Sequence, residues 1–331
     1  MSGKKSLAVR YHAHGKPEEV LVVEAVDIAA PKRGEVVLEL LAASVNPSDL
    51  GMIMGSYGRL RELPAVGGRE GVGVVIEVGE GVESLQVGDW VQMPEASGVW
   101  RQRGVAVAAG LLKVPQTLTP QQAATAFVNP ATAVRLLQDF GDLQPGDWLI
   151  QNAANSAVGF SVVGYAKHRG YRTINVVRNR EWESALKAAG GDIVVSEGSD
   201  YPKQIKTLTG GVLPKLGLNS VGGESVSDII KTIDEGGTVV TFGGMVGDKI
   251  RFPTRQLIFN DLRLQGYWMD KWNRSQHRNA LESFYADVFR LIAAGIIHVP
   301  VEKAYAFAQA LEAVKRGFAA GRKGKILIVN E

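Results

Sequence analysis

The chain has 331 residues, of which 45% are apolar and 21% charged, with a formal net charge of +3. That is long enough for two domains with separate cores, and so small and interspersed a charge argues against nucleic acid or a membrane surface as partner. There is no cysteine, which excludes disulfides, thiolate nucleophiles, iron–sulfur clusters and cysteine-ligated zinc.

Residues 1–125 read as all-β. Short runs rich in Val, Ile and Leu, such as Leu21–Val26, Glu35–Ala43 and Gly73–Val78, are broken by Pro31, Gly34, Pro47, Gly79-Glu80-Gly81 and Gly88-Asp89, the punctuation of tight turns. Within this region His12 and His14 would share a face on a strand, and they read as solvated residues near a first hairpin. From about residue 130 the rhythm changes. A helical TAVRLLQDF precedes the apolar strand WLIQNA, then come a helix over 158–169, strand RTINVV, helix EWESALKAAGG and strand IVV. Further units end in GTVVTFGG and LRLQGYW. Strands alternating with helices predict βαβ units and a parallel, doubly wound sheet. The tail predicts helices over 276–294 and 304–317 and a last strand, GKILIV. The fold class is therefore α/β: a β-rich domain over 1–126, a doubly wound domain over 127–267, and a return to the first over 268–331. No run reaches the roughly 18 apolar residues of a membrane span. The N-terminal segment has no apolar signal core and is not a long Arg/Ser-rich presequence, so a soluble cytoplasmic protein is expected.

The strongest chemical signal follows WLIQNA. A dinucleotide site needs a strand, a tight turn with little side chain near the pyrophosphate, and a helix N-terminus aimed at the phosphates. The usual G-x-G-x-x-G becomes Ala154-x-Ser156-x-x-Gly159, with small residues in place of two glycines and the strand and helix in the required order. At the end of the second strand an NAD site carries a carboxylate for the ribose 2′-hydroxyl. Here Val177 stands there, with Arg178 and Arg180 behind it. Lost acid and gained guanidinium fit a 2′-phosphate, so NADPH is the expected cofactor. A second Gly-x-Gly, in VGVVIEVGEGV, opens no helix and reads as scaffold.

Taken together, the segments VNPSDLGMIMGSYGRLRELPAVGGREGVGVV, FVNPATAVRLL, LQPGDWLIQNAANSAVGFSVVGYAKHRGYRTINVVRNR, LNSVGG, VVTFGGM and GYWMDKW resemble the medium-chain dehydrogenase/reductase superfamily. Within it the chain is similar to the 2-enoyl thioester reductases. The resemblance implies a GroES-like catalytic domain beside the Rossmann domain. It implies Tyr57 as the proton donor or substrate-orienting group, and a cofactor site of Asn129, Asn155, Ser156, Ala157, Val158, Arg178, Asn179, Arg180, Phe242, Gly243, Gly244, Met245, Tyr267, Trp268, Met269 and Lys325. Asn46, Trp268 and Trp272 are candidates for the substrate pocket, although both tryptophans also fit core packing. Arg59, Arg61, Lys271 and Arg274 read either as contacts for coenzyme A or an acidic acyl carrier protein, or as solvated surface charge. Ala157 departs from the family, which usually has glycine there. Where zinc-dependent relatives have a Gly-His-Glu run this chain has Gly68-Arg69-Glu70, so no metal is expected.

The expected reaction is NADPH-dependent reduction of the C2=C3 double bond of a trans-2-enoyl thioester. Without a Lewis acid, a neutral phenol that stays protonated at pH 7 is a suitable donor. Two other readings stand beside it: a quinone or α,β-unsaturated ketone reductase on the same scaffold, and a non-catalytic NADPH-binding protein. A homodimer is implied, paired through an edge strand near 238–250 or 260–268.

Overall fold

The computed structural model describes residues 4–198, 200–246, 249–250 and 252–330. Residues 247 and 248, inside one expected pairing segment, lie outside the described residues. The chain divides into two compact units, residues 1–127 with 300–331 and residues 128–299.

The first unit opens with β1 (Lys4–Tyr11), α1 (Pro17–Val20) and β2 (Leu21–Ile28), followed by β3 (Glu35–Ser44), α2 (Pro47–Met54), β4 (Ala65–Val66), β5 (Gly71–Val78), β6 (Trp90–Gln92), β7 (Arg103–Val107) and α3 (Pro120–Ala123). The all-β expectation for this region misses α2. Its signals are nonetheless local: Pro47 at the first helical position, a reciprocal cap between Asn46 and Asp49, and Gly55 at the end with φ 77°. Strands β2, β1 and β4 form one antiparallel sheet. In the other sheet β3 pairs antiparallel with β5 and β7, and β5 with β6.

The second unit begins with α4 (Asn129–Asp139) and β8 (Trp148–Gln151). It continues α5 (Ala157–His168), β9 (Arg172–Val177), α6 (Glu183–Ala188), β10 (Ile193–Ser196), α7 (Tyr201–Leu208), β11 (Leu216–Asn219) and α8 (Gly223–Ile230). Last come β12 (Thr238–Thr241), α9 (Thr254–Phe259), β13 (Arg263–Gly266), α10 (Met269–Ser275) and α11 (Arg278–Ala293). Six parallel strands lie in the order β10-β9-β8-β11-β12-β13, the doubly wound arrangement whose direction of growth reverses between β8 and β11. Every residue of β8 and β11 is buried, as expected of central strands covered on both faces.

The chain then returns to the first unit with β14 (Val301–Ala306), α12 (Ala310–Phe318) and β15 (Lys325–Val329). Strand β15 joins parallel to β14 and antiparallel to β3. Two details depart from the sequence reading. Residues 304–306 are strand and Phe307–Gln309 a 3-10 turn, so the last helix starts at Ala310 rather than 304. Pairing of Ala304, Tyr305 and Ala306 with β15 overrides the helical pattern. The return falls at residue 300, not 268, because α11 sets Phe284, Tyr285 and Phe289 in an aromatic row beside Trp272 of α10 within the second unit.

The first unit's core gathers Tyr11, Leu38, Leu40, Met93, Trp100, Phe307, Ile326 and Ile328. Trp100 explains the glycine pair before Arg69. A Cβ at Gly67 or Gly68 would sit 2.4 or 2.3 Å from the indole, and Gly68 has φ 82°, so neither position accepts a side chain without displacing Trp100. The indole Nε1 donates to the carbonyl of Ser44 at 3.2 Å.

Candidate active site

In the first unit α2 and the loop behind it present Tyr57. The amide of Tyr57 donates to the carbonyl of Gly51 at 3.1 Å, which folds the loop back onto the helix. The ring lies under the guanidinium of Arg69, whose Cζ is 4.4 Å from the ring centroid. Arg69 is 7% exposed, and its Nε and Nη2 both reach Oε1 of Glu95, at 2.6 and 2.5 Å. Burial lowers its pKa while Glu95 and Tyr57 raise it, and the net shift is upward. A guanidinium has no lone pair to offer a metal. Among the described residues no three His, Asp or Glu side chains converge as a metal site.

Beside this pair lies a buried polar chain. Glu70, fully buried, accepts from the Ser44 hydroxyl at 2.6 Å and from Nδ2 of Asn46 at 2.8 Å. Lys325, at the start of β15, donates to Oδ1 of Asn46 and to the carbonyl of Val45. Its burial lowers its pKa to about 8, with Glu70 opposing. Asp49 takes the amide of Asn46 at 2.7 Å on Oδ2, while its Oδ1 has no hydrogen-bond partner among the described residues. Burial raises its pKa to about 7, against the pull of that amide and of Arg69, Arg61 and Lys325. Asn46 and Lys325, expected on a substrate wall and a cofactor edge, thus share one hydrogen-bonded cluster under α2.

The second unit holds the dinucleotide turn. Strand β8 runs into Asn152-Ala153-Ala154-Asn155, and Ala153 takes φ 46°, a left-handed conformation uncommon outside glycine. Ser156 caps α5, its hydroxyl accepting from the amide of Gly159 at 3.0 Å. The amides of Ala157 and Val158, in the first helical turn, have no acceptor inside the helix. A Cβ at Gly159 would fall 2.2 Å from the carbonyl of Ala154, so this last glycine of the motif is the one that lets helix and strand approach. Ala157 is half-buried at the first helical position.

Around the turn, side chains that sequence reasoning passed over tie the strand ends together. Asn152 donates to Oδ1 of Asn219 at 2.8 Å and to Ser225 at 3.1 Å, and accepts from the amide of Ser220 at 2.9 Å. Asn219 donates to Thr241 at 3.1 Å. Three neighbouring strands, β8, β11 and β12, are thereby clamped at their C-terminal ends, across the reversal point where such sheets bind ligands. The signal was an amide ending an apolar strand, in WLIQN and LGLN.

The other expected residues fall as follows. Phe242, Gly243, Gly244 and Met245 follow β12, held by bonds from the Phe242 amide to Asn219 and the Met245 amide to Ser220. Tyr267 follows β13, and its hydroxyl meets the sulfur of Met269 at 3.1 Å. Burial raises that hydroxyl's pKa. Asn129 is buried at the start of α4. Trp268 is half-buried with Arg274 over its ring at 5.4 Å. Trp272 packs edge-on to Phe284 at 4.8 Å and under Arg135 at 4.5 Å.

Beyond Val177 the chain has Arg178, Asn179 and Arg180, all exposed. Arg180 is paired with Glu183 at 2.6 Å, whereas Arg178 has no ion pair among the described residues. A turn of small residues, a helix N-terminus and an available guanidinium after β9 fit a dinucleotide bearing a 2′-phosphate. Arg61, weighed above as a contact for coenzyme A, is spent on the carbonyls of Glu95, Val66 and Gly68. Arg274 is paired with Asp270.

Residues 32–115 match the alcohol dehydrogenase GroES-like domain, and residues 157–286 match the zinc-binding dehydrogenase family. With the sheet order and the dinucleotide turn, these define the class as a medium-chain dehydrogenase/reductase. The chain is 42% identical to the mitochondrial enoyl-[acyl-carrier-protein] reductase of Xenopus tropicalis, over 89% of this chain and 88% of that one. Against the same enzyme of Homo sapiens the identity is 40%, covering 88% and 80%. The protein therefore belongs to the enoyl-[acyl-carrier-protein] reductase family. Among solved structures, a putative NADPH:quinone reductase from Bacillus thuringiensis superposes with a TM-score of 0.92 at 25% identity, covering 99% of this chain and 100% of that one. The mitochondrial 2-enoyl thioester reductase heterodimer Etr1p/Etr2p from Candida tropicalis gives 0.89 at 28%, covering 98% and 100%. A complex of Etr1p with NADP and crotonyl-CoA gives 0.88 at 28%, again over 98% and 100%.

Proposed function

We propose that the protein reduces the C2=C3 double bond of trans-2-enoyl thioesters with NADPH and without zinc. The observation that carries the reading is the nature of the first unit's polar donor: a phenol, Tyr57, beside a buried arginine at the place where zinc-dependent relatives put a ligand histidine. The relatives named enoyl-[acyl-carrier-protein] reductase and the NADP–crotonyl-CoA complex of Etr1p support it.

NADPH, when bound, supplies the hydride that the β-carbon receives. The turn over Asn155, Ser156, Ala157 and Val158 would hold the pyrophosphate, and Arg178 the 2′-phosphate. Phe242, Gly243, Gly244, Met245, Tyr267, Trp268, Met269, Asn129 and Lys325 complete the proposed cofactor contacts. As the β-carbon accepts two electrons, the double-bond pair moves towards the thioester oxygen, and a hydrogen bond from Tyr57 stabilises the charge that builds there. The α-carbon then takes a proton, which Tyr57 supplies and solvent replaces. Asn46 would face the substrate, with Trp268 and Trp272 as the apolar wall. The test is NADPH oxidation with enoyl-CoAs of rising chain length beside a quinone. Crotonyl-CoA turnover far above quinone turnover, with a loss of about a hundredfold in Tyr57→Phe, is expected. Undiminished turnover in that variant would remove Tyr57 from the chemistry.

The Bacillus thuringiensis neighbour favours a second reading, a quinone reductase, and the same assay decides between the two. The acyl group's carrier, coenzyme A or acyl carrier protein, is part of the proposal, with the exposed Arg59 and Lys271 as candidate contacts for its phosphate or acidic surface. So is a homodimer. All four residues of the edge strand β13 are exposed, and on the neighbouring α9 Ile258 and Phe259 are each 66% exposed, an edge with no strand beyond it among the described residues and apolar flanks. Light scattering should give twice the chain mass, falling to the monomer in Phe259→Asp. Among the described residues no helix is long and apolar enough to cross a membrane. A cytoplasmic location, where the relatives' names say mitochondrial, is proposed and is checked by fractionation.

A further inference from the structure

We infer that Arg69 is a positioning residue for Tyr57, fixing its ring and stabilising charge on its oxygen as the phenol gives up its proton. The inference rests on the reading of Tyr57 as donor and assigns Arg69, Glu95 and Arg61 as its support.

Three layers of contact carry it. Tyr57 lies under Arg69 at 4.4 Å, and Gly51 is so close that a Cβ there would be 3.3 Å from the ring. Arg69 is held by its double contact to Oε1 of Glu95. Arg61 in turn holds the backbone on both sides of that pair, donating to the carbonyls of Gly68 at 2.8 Å and of Glu95 at 3.0 and 2.6 Å. A guanidinium tied edge-on to a carboxylate keeps its flat face for an aromatic ring. The attraction between that face and a neutral phenol is modest. It grows as the phenol oxygen becomes negative, so the contact is stronger in the transition state than in the resting enzyme, the condition for raising kcat. Lysine keeps the charge and loses both the flat face and the fork.

The test is a double-mutant cycle on the full-length protein, with crotonyl-CoA and NADPH at saturation. Arg69→Met should lower kcat about tenfold while the NADPH KM moves less than about twofold. Arg69→Lys should recover part of the loss. In a Tyr57→Phe background the same Arg69→Met change should alter the residual kcat by less than about twofold, because its target is gone. Equal fractional losses in both backgrounds, or an Arg69→Met enzyme as fast as the parent, would overturn the inference and leave the donor reading intact. Full activity in Tyr57→Phe alone would instead overturn the donor reading. Should Arg69→Met fail to fold by thermal melting, Glu95→Gln, which keeps the guanidinium and loosens it, enters the cycle in its place with the same criteria.

Discussion

Asp49 shows how much a single buried side chain can shape this protein's behaviour. It is fully buried, one oxygen without a partner among the described residues, and burial lifts its pKa from 3.8 to about 7. Between those values the unfolded chain ionises and the fold keeps the proton, so this group's contribution to stability falls as pH rises from about 4 to about 7 and is level beyond. The penalty at pH 8 amounts to at most about 4 kcal/mol. Asp49→Asn keeps the acceptor for the Asn46 amide and removes the charge. Its thermal midpoint should match the parent's at pH 4 and exceed it increasingly up to pH 7. A midpoint below the parent's at pH 8 would mean that the carboxylate is stabilising there. Nothing in the sequence marked Asp49 beyond its place in a capping pattern, because its burial is a property of the fold and two of the charges that face it, Arg69 and Lys325, come from distant parts of the chain. By contrast, Arg69 was legible as a histidine's replacement, and only the fold shows what it touches.

At the scale of elements, the strand–turn–helix around β8 and α5 was readable because each signal is local: an apolar strand, small residues, a capping serine and a glycine at the close approach. The connection after β9 was readable in kind and not in detail. Two arginines stand there, and the structure separates them, since Glu183 on α6 engages Arg180 while Arg178, proposed for the 2′-phosphate, has no ion pair among the described residues. Arg178→Ala should therefore raise the NADPH KM about tenfold or more, and Arg180→Ala less, with the NADH KM nearly unchanged in both. Equal effects on the two cofactors would contradict a 2′-phosphate contact. The helix expected from 304 failed because pairing with β15 is a long-range event that overrides propensity. The polar clamp of Asn152 and Asn219 escaped notice for the same reason, its partners lying on separate strands.

At the scale of the whole molecule, two units divide the proposed chemistry: one carries the proton donor and its arginine support, the other the dinucleotide turn and the proposed phosphate contacts. Alternating strands and helices made the second unit's parallel sheet predictable. Its far boundary was not, because α10 and α11 carry an aromatic row whose partners no periodicity reveals. Hydride delivery to the β-carbon of an enoyl thioester can be followed by isotope transfer. NADPH doubly deuterated at C4 of the nicotinamide is turned over with crotonyl-CoA, and the butyryl-CoA formed is examined by mass spectrometry and NMR. One deuterium at C3 and none at C2 is the predicted result. Unlabelled product, label at C2, or NADPH consumed only when a quinone is present would contradict it.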